Sequence, residues 1–223
     1  GTSNVRFGVN AGDGILSGGN YNTVVGDEAG TAITTGDNNT ALGYEALNGI
    51  ITTANSTAVG YRALKEDVAG LNAAFGYTAG SSIDDGTRNT AIGPAAMDGA
   101  TSGDDNTAVG ANALGAGTNT ASDNTAIGAY AMATISTGHS NVAVGYTALD
   151  AEDTGSACTA IGFGALTTQN NDAANYNTAV GYQAGGGLTT GIRNTAVGAT
   201  ALDATVTGND NTAVGYNAAA AIT

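Results

Sequence analysis

Apolar positions return along this chain with a period far longer than any helix or strand. The pattern is easiest to follow from the glycine that ends each Asn-Thr-Ala-Val-Gly run: Gly8, Gly26, Gly43, Gly60, Gly76, Gly93, Gly110, Gly128, Gly145, Gly162, Gly181, Gly198 and Gly215, spaced 16 to 19 residues apart and most often 17. The residue before the glycine is always apolar, as at Val109 and Val144, and the residue three after it is alanine in every copy, as at Ala46, Ala113 and Ala148. Alanine also stands two before the glycine in eleven copies. Four before it stands asparagine in eleven copies, Asn39, Asn106 and Asn141 among them, with Ser56 and Cys158 as the exceptions. A row without exception, such as the alanines from Ala11 to Ala218, implies a steric limit.

Each unit reads as a short β-prone Thr-Ala-Val run, a glycine such as Gly43, Gly110 or Gly145, a second short run, and a polar stretch rich in Gly, Asp, Asn and Thr. So short a unit can hold two short strands and two turns, whereas helical repeats need 33 residues or more. The pattern predicts an all-β parallel solenoid of about thirteen coils, a single repeat domain over residues 1–223, read as a fragment of a longer fibre. Coils about 4.8 Å apart make a rod about 60 Å long. The asparagine row is then placed to form a side-chain amide ladder, each amide bonding to the next.

Alternation along a strand puts the alanine two before the glycine on one face and the threonine and Val/Ile rows on the other. With the small side chains inward, two sheets of one chain lie close together and the Val/Ile row forms an outward apolar stripe along the rod. Such a stripe calls for cover. At about 25 cal/mol per Å² its burial is worth tens of kcal/mol gross, and oligomerisation along the rod is the simplest way to gain it. The reverse assignment, Val inside and Ala outside, describes a self-sufficient monomer.

Composition fits a thin, tightly wound rod. Hydrophobic residues make up 42% of the chain but are mostly Ala and Val, with 3 Phe, 2 Met and no Trp against 36 Gly. A net charge of −14 disfavours nucleic acid and anionic lipid as partners. Neither a membrane-spanning apolar run nor a secretory signal is present, so membrane insertion is not expected. Cys158 stands alone and cannot form an internal disulfide.

Few residues suggest chemistry. Asp84-Asp85, Asp104-Asp105, Asp37, Asp123 and Asp210 permit Ca²⁺ binding between coils, although Asp and Asn favour turns for their own reasons, and the turn reading is preferred. No other cofactor is implied. His139, in Ser-Thr-Gly-His-Ser, reads as a solvated loop residue, and Cys158 as a small substitute in the asparagine row. Gly115-Ala116-Gly117 does not match a phosphate loop. Tyr44, Tyr61, Tyr77, Tyr146, Tyr182 and Tyr216 directly follow the glycine, with Phe163 equivalent and Pro94, Ala111, Ala129 and Ala199 interrupting the row. These rings either stack on sugars or cover a seam, and the interruptions favour the seam. No catalytic site is assigned, and the chain is read as a non-enzyme.

Runs such as Asn106-Thr107-Ala108-Val109-Gly110 and Asn124-Thr125-Ala126-Ile127-Gly128 resemble the head repeats of YadA-like trimeric autotransporter adhesins, and Asn39 to Leu47 and Asn141 to Leu149 resemble the Asn-Thr-Ala-Val-Gly-Tyr-x-Ala-Leu repeats of bacteriophage tail fibres. The resemblance implies a left-handed parallel β-roll, a homotrimer, an extracellular place on a virion or bacterial surface, and attachment to a cell-surface receptor or glycan. The unit here is longer than the adhesin repeat, and Thr often stands for its first Val, implying longer loops and a less apolar seam. Recognition is expected in variable segments such as Lys65-Glu66-Asp67 and Gln169-Asn170-Asn171-Asp172, exchangeable for a neutral turn, or at a separate tip. A monomeric solenoid that binds ice or carbohydrate is the alternative.

Overall fold

The computed structural model describes residues 2–49, 52–115, 120–171, 174–204 and 207–220. It is a parallel β-solenoid. Its strands are three residues each: β1 Val5–Phe7, β2 Thr23–Val25, β3 Thr40–Leu42, β4 Thr57–Val59, β5 Ala73–Phe75, β6 Thr90–Ile92, β7 Thr107–Val109, β8 Thr125–Ile127, β9 Val142–Val144, β10 Thr159–Ile161, β11 Thr178–Val180, β12 Thr195–Val197 and β13 Thr212–Val214. They form one 13-stranded sheet in sequence order. Each row of the repeat pairs with itself, Ala41 with Ala58 and Leu42 with Val59, so one repeat makes one turn of the rod.

The small residues face inward. Ala58, Ala108 and Ala143 are wholly buried, while Leu42 on the same sheet is 47% exposed and Ile92 41%. The second alanine row, with Ala46, Ala113 and Ala148, is also wholly buried. The assignment with Val inside is therefore excluded.

The second short run is not a strand, and the rod has one sheet where two were expected. After the glycine the chain takes left-handed conformations at alternate residues, Glu45 at φ 50° and Leu47 at φ 54° in one coil, Asn112 at 53° and Leu114 at 51° in another. Left-handed backbone costs about 1 kcal/mol or more per non-glycine residue. Two ladders of hydrogen bonds between coils offset that cost: Leu47 N–H donates to the Ala63 carbonyl at 3.0 Å, and Arg62 N–H to the Tyr44 carbonyl at 2.8 Å. The tight path brings the second alanine row against the first, and alanine is all that fits. At the corner itself only glycine serves, since Gly110 sits at φ 136° and a Cβ there would lie 2.6 Å from the carbonyl of Gly128.

Larger core side chains obey a volume rule. Four residues after the repeat glycine most coils carry Leu or Met, among them Leu47, Leu64, Met97 and Leu114, all fully buried. Where that position is Gly30, Gly80 or Gly185, a buried Ile33, Ile83 or Leu188 arrives from three residues further on. The two sources fill one space: a Cβ on Gly80 would lie 3.0 Å from both the Ile83 and Leu64 side chains. Val24, which replaces the inner alanine of β2, is accommodated in the same way, because Cβ atoms on Gly12 and Gly30 would lie 2.9 and 2.7 Å from it. The coil of Gly128 keeps both Met132 and Ile135, and nothing in the structure explains why.

Candidate functional site

The outward side of the sheet carries two rows, threonine three before the glycine and Val/Ile one before it, and the exposed tyrosine row follows them just past the glycine corner. Val109 and Val144 are half-buried there, flanked by exposed Ile92, Ile127 and Ile161. On a chain of net charge −14, these rows hold one charged side chain, Asp27. The charges lie on the rims instead. Arg88 bridges coils to Asp105 at 2.6 Å and Arg193 to Asp210 at 2.6 Å on one side, and Arg62 reaches Glu45 at 2.8 Å on the other. Hydrogen bonding to these guanidinium groups holds the Asp105 and Asp210 carboxyls below their usual range.

The tyrosines form columns. Tyr44, Tyr61 and Tyr77 stack with centroids 5.4 and 5.2 Å apart, and Tyr146, Phe163 and Tyr182 with centroids 5.4 and 5.2 Å apart, all within 19° of parallel. Stacking uses the ring faces on one another, and the Tyr44 hydroxyl is held by the Glu45 carboxylate, which raises the pKa of that tyrosine. A sugar ring packing on an aromatic face would find that face free only at the ends of each column. Tyr216, in the last coil, is 81% exposed.

The asparagine row is buried and bonds chiefly to backbone, a correction to the expected amide-to-amide ladder. The Asn39 N–H donates to Asn22 Oδ1 at 2.9 Å, the Asn106 N–H to Asn89 Oδ1 at 2.9 Å and the Asn141 N–H to Asn124 Oδ1 at 2.9 Å. Each side-chain amide then donates to a carbonyl fourteen or fifteen residues on, Asn39 to Thr53, Asn106 to Ala121 and Asn141 to Gly155. Direct amide-to-amide bonds also occur, as from Asn106 to Asn89 at 3.1 Å. Backbone dominates because a buried strand end leaves N–H and C=O groups that need partners.

At both exceptions in this row, a buried polar side chain eleven residues on takes over. Ser56 Oγ donates to Asp67 Oδ2, and the Asn72 amide, next in the row, donates to Asp67 Oδ1 at 3.2 Å. Beside Cys158, Gln169 Nε2 lies 3.3 Å from the sulfur and Gln169 Oε1 accepts from the Asn177 amide at 3.0 Å. Glu152, wholly buried one coil below Gln169, accepts from the Gly155 N–H and the Asn175 amide at 2.8 Å each. Burial pushes the Asp67 and Glu152 carboxyls up, and the Cys158 thiol up to about 11.

The two segments expected to be exchangeable recognition loops therefore each contain a buried structural residue. Lys65 and Glu66 remain outside, but Asp67 and Gln169 point into the rod; Asp172 lies outside the described residues. These roles were missed in the sequence, although a signal existed. Asp67, Glu152 and Gln169 occupy the seventh place after the glycine, where Ile33, Ile83 and Leu188 are core residues.

Other candidates are dispersed. Asp37 accepts from the Asn20 N–H and Asp104 from the Thr87 N–H, both at 2.7 Å, so these carboxylates tie one coil to the coil before it. His139 Nδ1 is 3.4 Å from the exposed Ser140 Oγ of the adjoining residue, and among the described residues no carboxylate pairs with the ring. Gly115 is described, but Ala116 and Gly117 are not. Among the described residues no group of three or more His, Cys, Asp or Glu is placed to hold a metal, and no helix is long and apolar enough to cross a membrane. The fold and its outward face thus define a parallel β-solenoid repeat protein with one side nearly free of charge. Comparison with family models, curated proteins and solved structures finds no match.

Proposed function

We propose that the chain is a structural and adhesive shaft or head segment of an extracellular homotrimeric fibre, attaching a phage particle or a bacterial surface to its target. The observation that carries this reading is the outward face, apolar and nearly free of charge along an unbroken ladder of thirteen strands. A face of that kind is stable in water when covered. The resemblance to trimeric adhesin heads and tail fibres agrees with it. In this reading the rod holds a receptor- or glycan-binding tip at a distance, and exposed loop residues such as Glu66 and Asn170 add weak, multivalent contacts.

The alternative, a monomeric solenoid that binds ice or carbohydrate through the same face, requires a broad flat hydroxyl array. Each strand offers at most one outward threonine beside a larger apolar neighbour, which favours the fibre. Light scattering on the purified chain at micromolar concentration tests the choice. The mass of three chains supports the fibre, and a stable monomer at all concentrations overturns it.

A further inference from the structure

The inner row of the sheet is alanine in eleven coils, Val24 in β2 and Arg6 in β1. The fold makes room for the arginine. A Cβ on Gly12 would lie 2.9 Å from the Arg6 Cδ and 2.8 Å from Ile15, so glycine there lets the arginine stem cross the end of the core beside Ile15. The guanidinium Nη1 donates to the Gly12 carbonyl at 2.8 Å. Its other donors stay open beside a cavity of about 280 Å³ lined by Ser3, Asn4, Arg6 and Ile15. The remaining cations are all paired: Arg62, Lys65, Arg88 and Arg193 face carboxylates at 2.8, 3.6, 2.6 and 2.6 Å. Arg6 joins no ion pair among the described residues, in a chain with 19 Asp and Glu.

A second donor lies at the same cavity. Elsewhere in the rod the N–H four before the repeat glycine receives the side-chain oxygen of the previous asparagine, Asn22 from Asn4 at 2.8 Å and Asn39 from Asn22 at 2.9 Å. The matching N–H of Asn4 has no acceptor among the described residues. The segment that carries it is held in place, with the Thr2 N–H on Asn20 Oδ1 and the Asn4 amide on the Gly19 carbonyl, both at 2.9 Å. A further alanine coil against this end would supply an acceptor, but it would also enclose the Arg6 guanidinium with no acid beside it, and an unpaired buried charge is strongly unfavourable.

We propose that this end of the rod binds the carboxylate of an acidic sugar, with the Arg6 guanidinium and the Asn4 N–H on the carboxylate oxygens and Ser3 and Ile15 beside the ring. The inference rests on the fibre reading for its biological setting and adds to it a site and a ligand class. The planar fork of arginine matches a planar carboxylate through two parallel bonds. The cavity falls just short of the range of about 300 to 1,000 Å³ usual for ligand sites, so it holds about one ring. Ile15 gives that ring an apolar wall, and the Ser3 hydroxyl, engaged by no other described residue, gives it a polar one. A net charge of −14 repels a polyanion, which favours a single carboxylate on an otherwise neutral glycan over a sulfated or phosphorylated polymer.

The test is a titration of the full chain, tagged at its C-terminal end, with glucuronate and with glucose, followed by NMR. Glucuronate is expected to bind at least about tenfold more tightly than glucose, which has the same ring without the carboxylate, and Arg6→Ala to remove that difference. Arg6→Lys keeps the stem and the charge, so it decides the matter if circular dichroism shows that Arg6→Ala disturbs the first coil; without the fork it should bind glucuronate about tenfold more weakly. Acetate should displace glucuronate only at higher concentration, because it lacks the ring. Sulfate that displaces it more readily than acetate does overturns the carboxylate assignment. Glucuronate that binds no better than glucose, or that binds both Arg6 variants undiminished, overturns the site. A chain that light scattering finds monomeric overturns the fibre reading but not this site, since one chain supplies all of its residues.

Discussion

Ser56 Oγ donates a hydrogen bond to Asp67 Oδ2 at 2.9 Å, between two wholly buried side chains eleven residues apart. Asp67 also accepts from the Gly70 N–H at 3.0 Å and from the Asn72 amide, while the Asn72 N–H donates to Ser56 Oγ at 3.4 Å, so the serine and the carboxylate together stand where one asparagine stands in the other coils. Burial raises the Asp67 pKa above the ordinary 3.8. A carboxyl whose folded value is raised favours the folded state most below its unfolded value, and that contribution is lost as pH climbs through the folded one. Asp67→Asn should therefore raise the melting midpoint at pH 7, with the gain shrinking towards pH 3. Thermal melts at both pH values check this, and a lower midpoint at pH 7 would show that the ionised form is what the site requires.

Glu152 is raised by burial in the same way, from an ordinary 4.5. Its partner Asn175 has an unpartnered buried Oδ1, so rotating that amide by half a turn would present an acceptor to a glutamine at 152. Glu152→Gln should be tolerated and should reduce the loss of stability between pH 4 and 7. A fall of more than about 1 kcal/mol, the usual worth of a hydrogen bond, would show that the charge itself is needed.

Gly80 is left-handed at φ 59°, close to the conformation Leu47 and Leu64 adopt at the same place in their coils. Gly80→Leu should cost about 1 to 3 kcal/mol by overpacking against Ile83. The pair Gly80→Leu with Ile83→Ala should recover most of it, as read by urea denaturation. Equal costs for single and double variants would mean that backbone strain, not volume, keeps glycine there.

Ala113→Leu should be the harshest of these changes. Ala113 is wholly buried in the core of the rod, so three added carbons overpack it at about 1 to 3 kcal/mol or more. An unchanged midpoint would mean that the two alanine rows are not in contact in solution.

Cys158 is buried and its thiol is pushed up to about 11, so little thiolate exists near neutral pH. The folded chain should resist a thiol reagent at pH 8 for hours, and the denatured chain should react within minutes. Equal rates would show that the coils around β10 open freely.

Much of this architecture was legible in the chain. An unbroken alanine row from Ala11 to Ala218 can only be a close contact, and the apolar residue always found beside the glycine can only alternate with it. The buried polar residues were harder to see. Asp67 lies next to exposed Glu66 and reads as part of a charged loop until the turn is known to point its side chain inward.

The sequence by itself determined the length of the repeat and the stacking of like on like, because both follow from its period; alternation separated an alanine side of the strand from a valine side, and burial in the folded rod decided that the alanine side faces in. Only the tertiary structure decided that the run after the glycine would be left-handed turn and not strand. The sign of φ at Glu45 or Leu47 is chosen by hydrogen bonds to the coils on either side, which no local pattern contains. The same holds for Asp67 and Gln169, whose place in the asparagine row depends on a reach across the coil that exists only once the coil has closed.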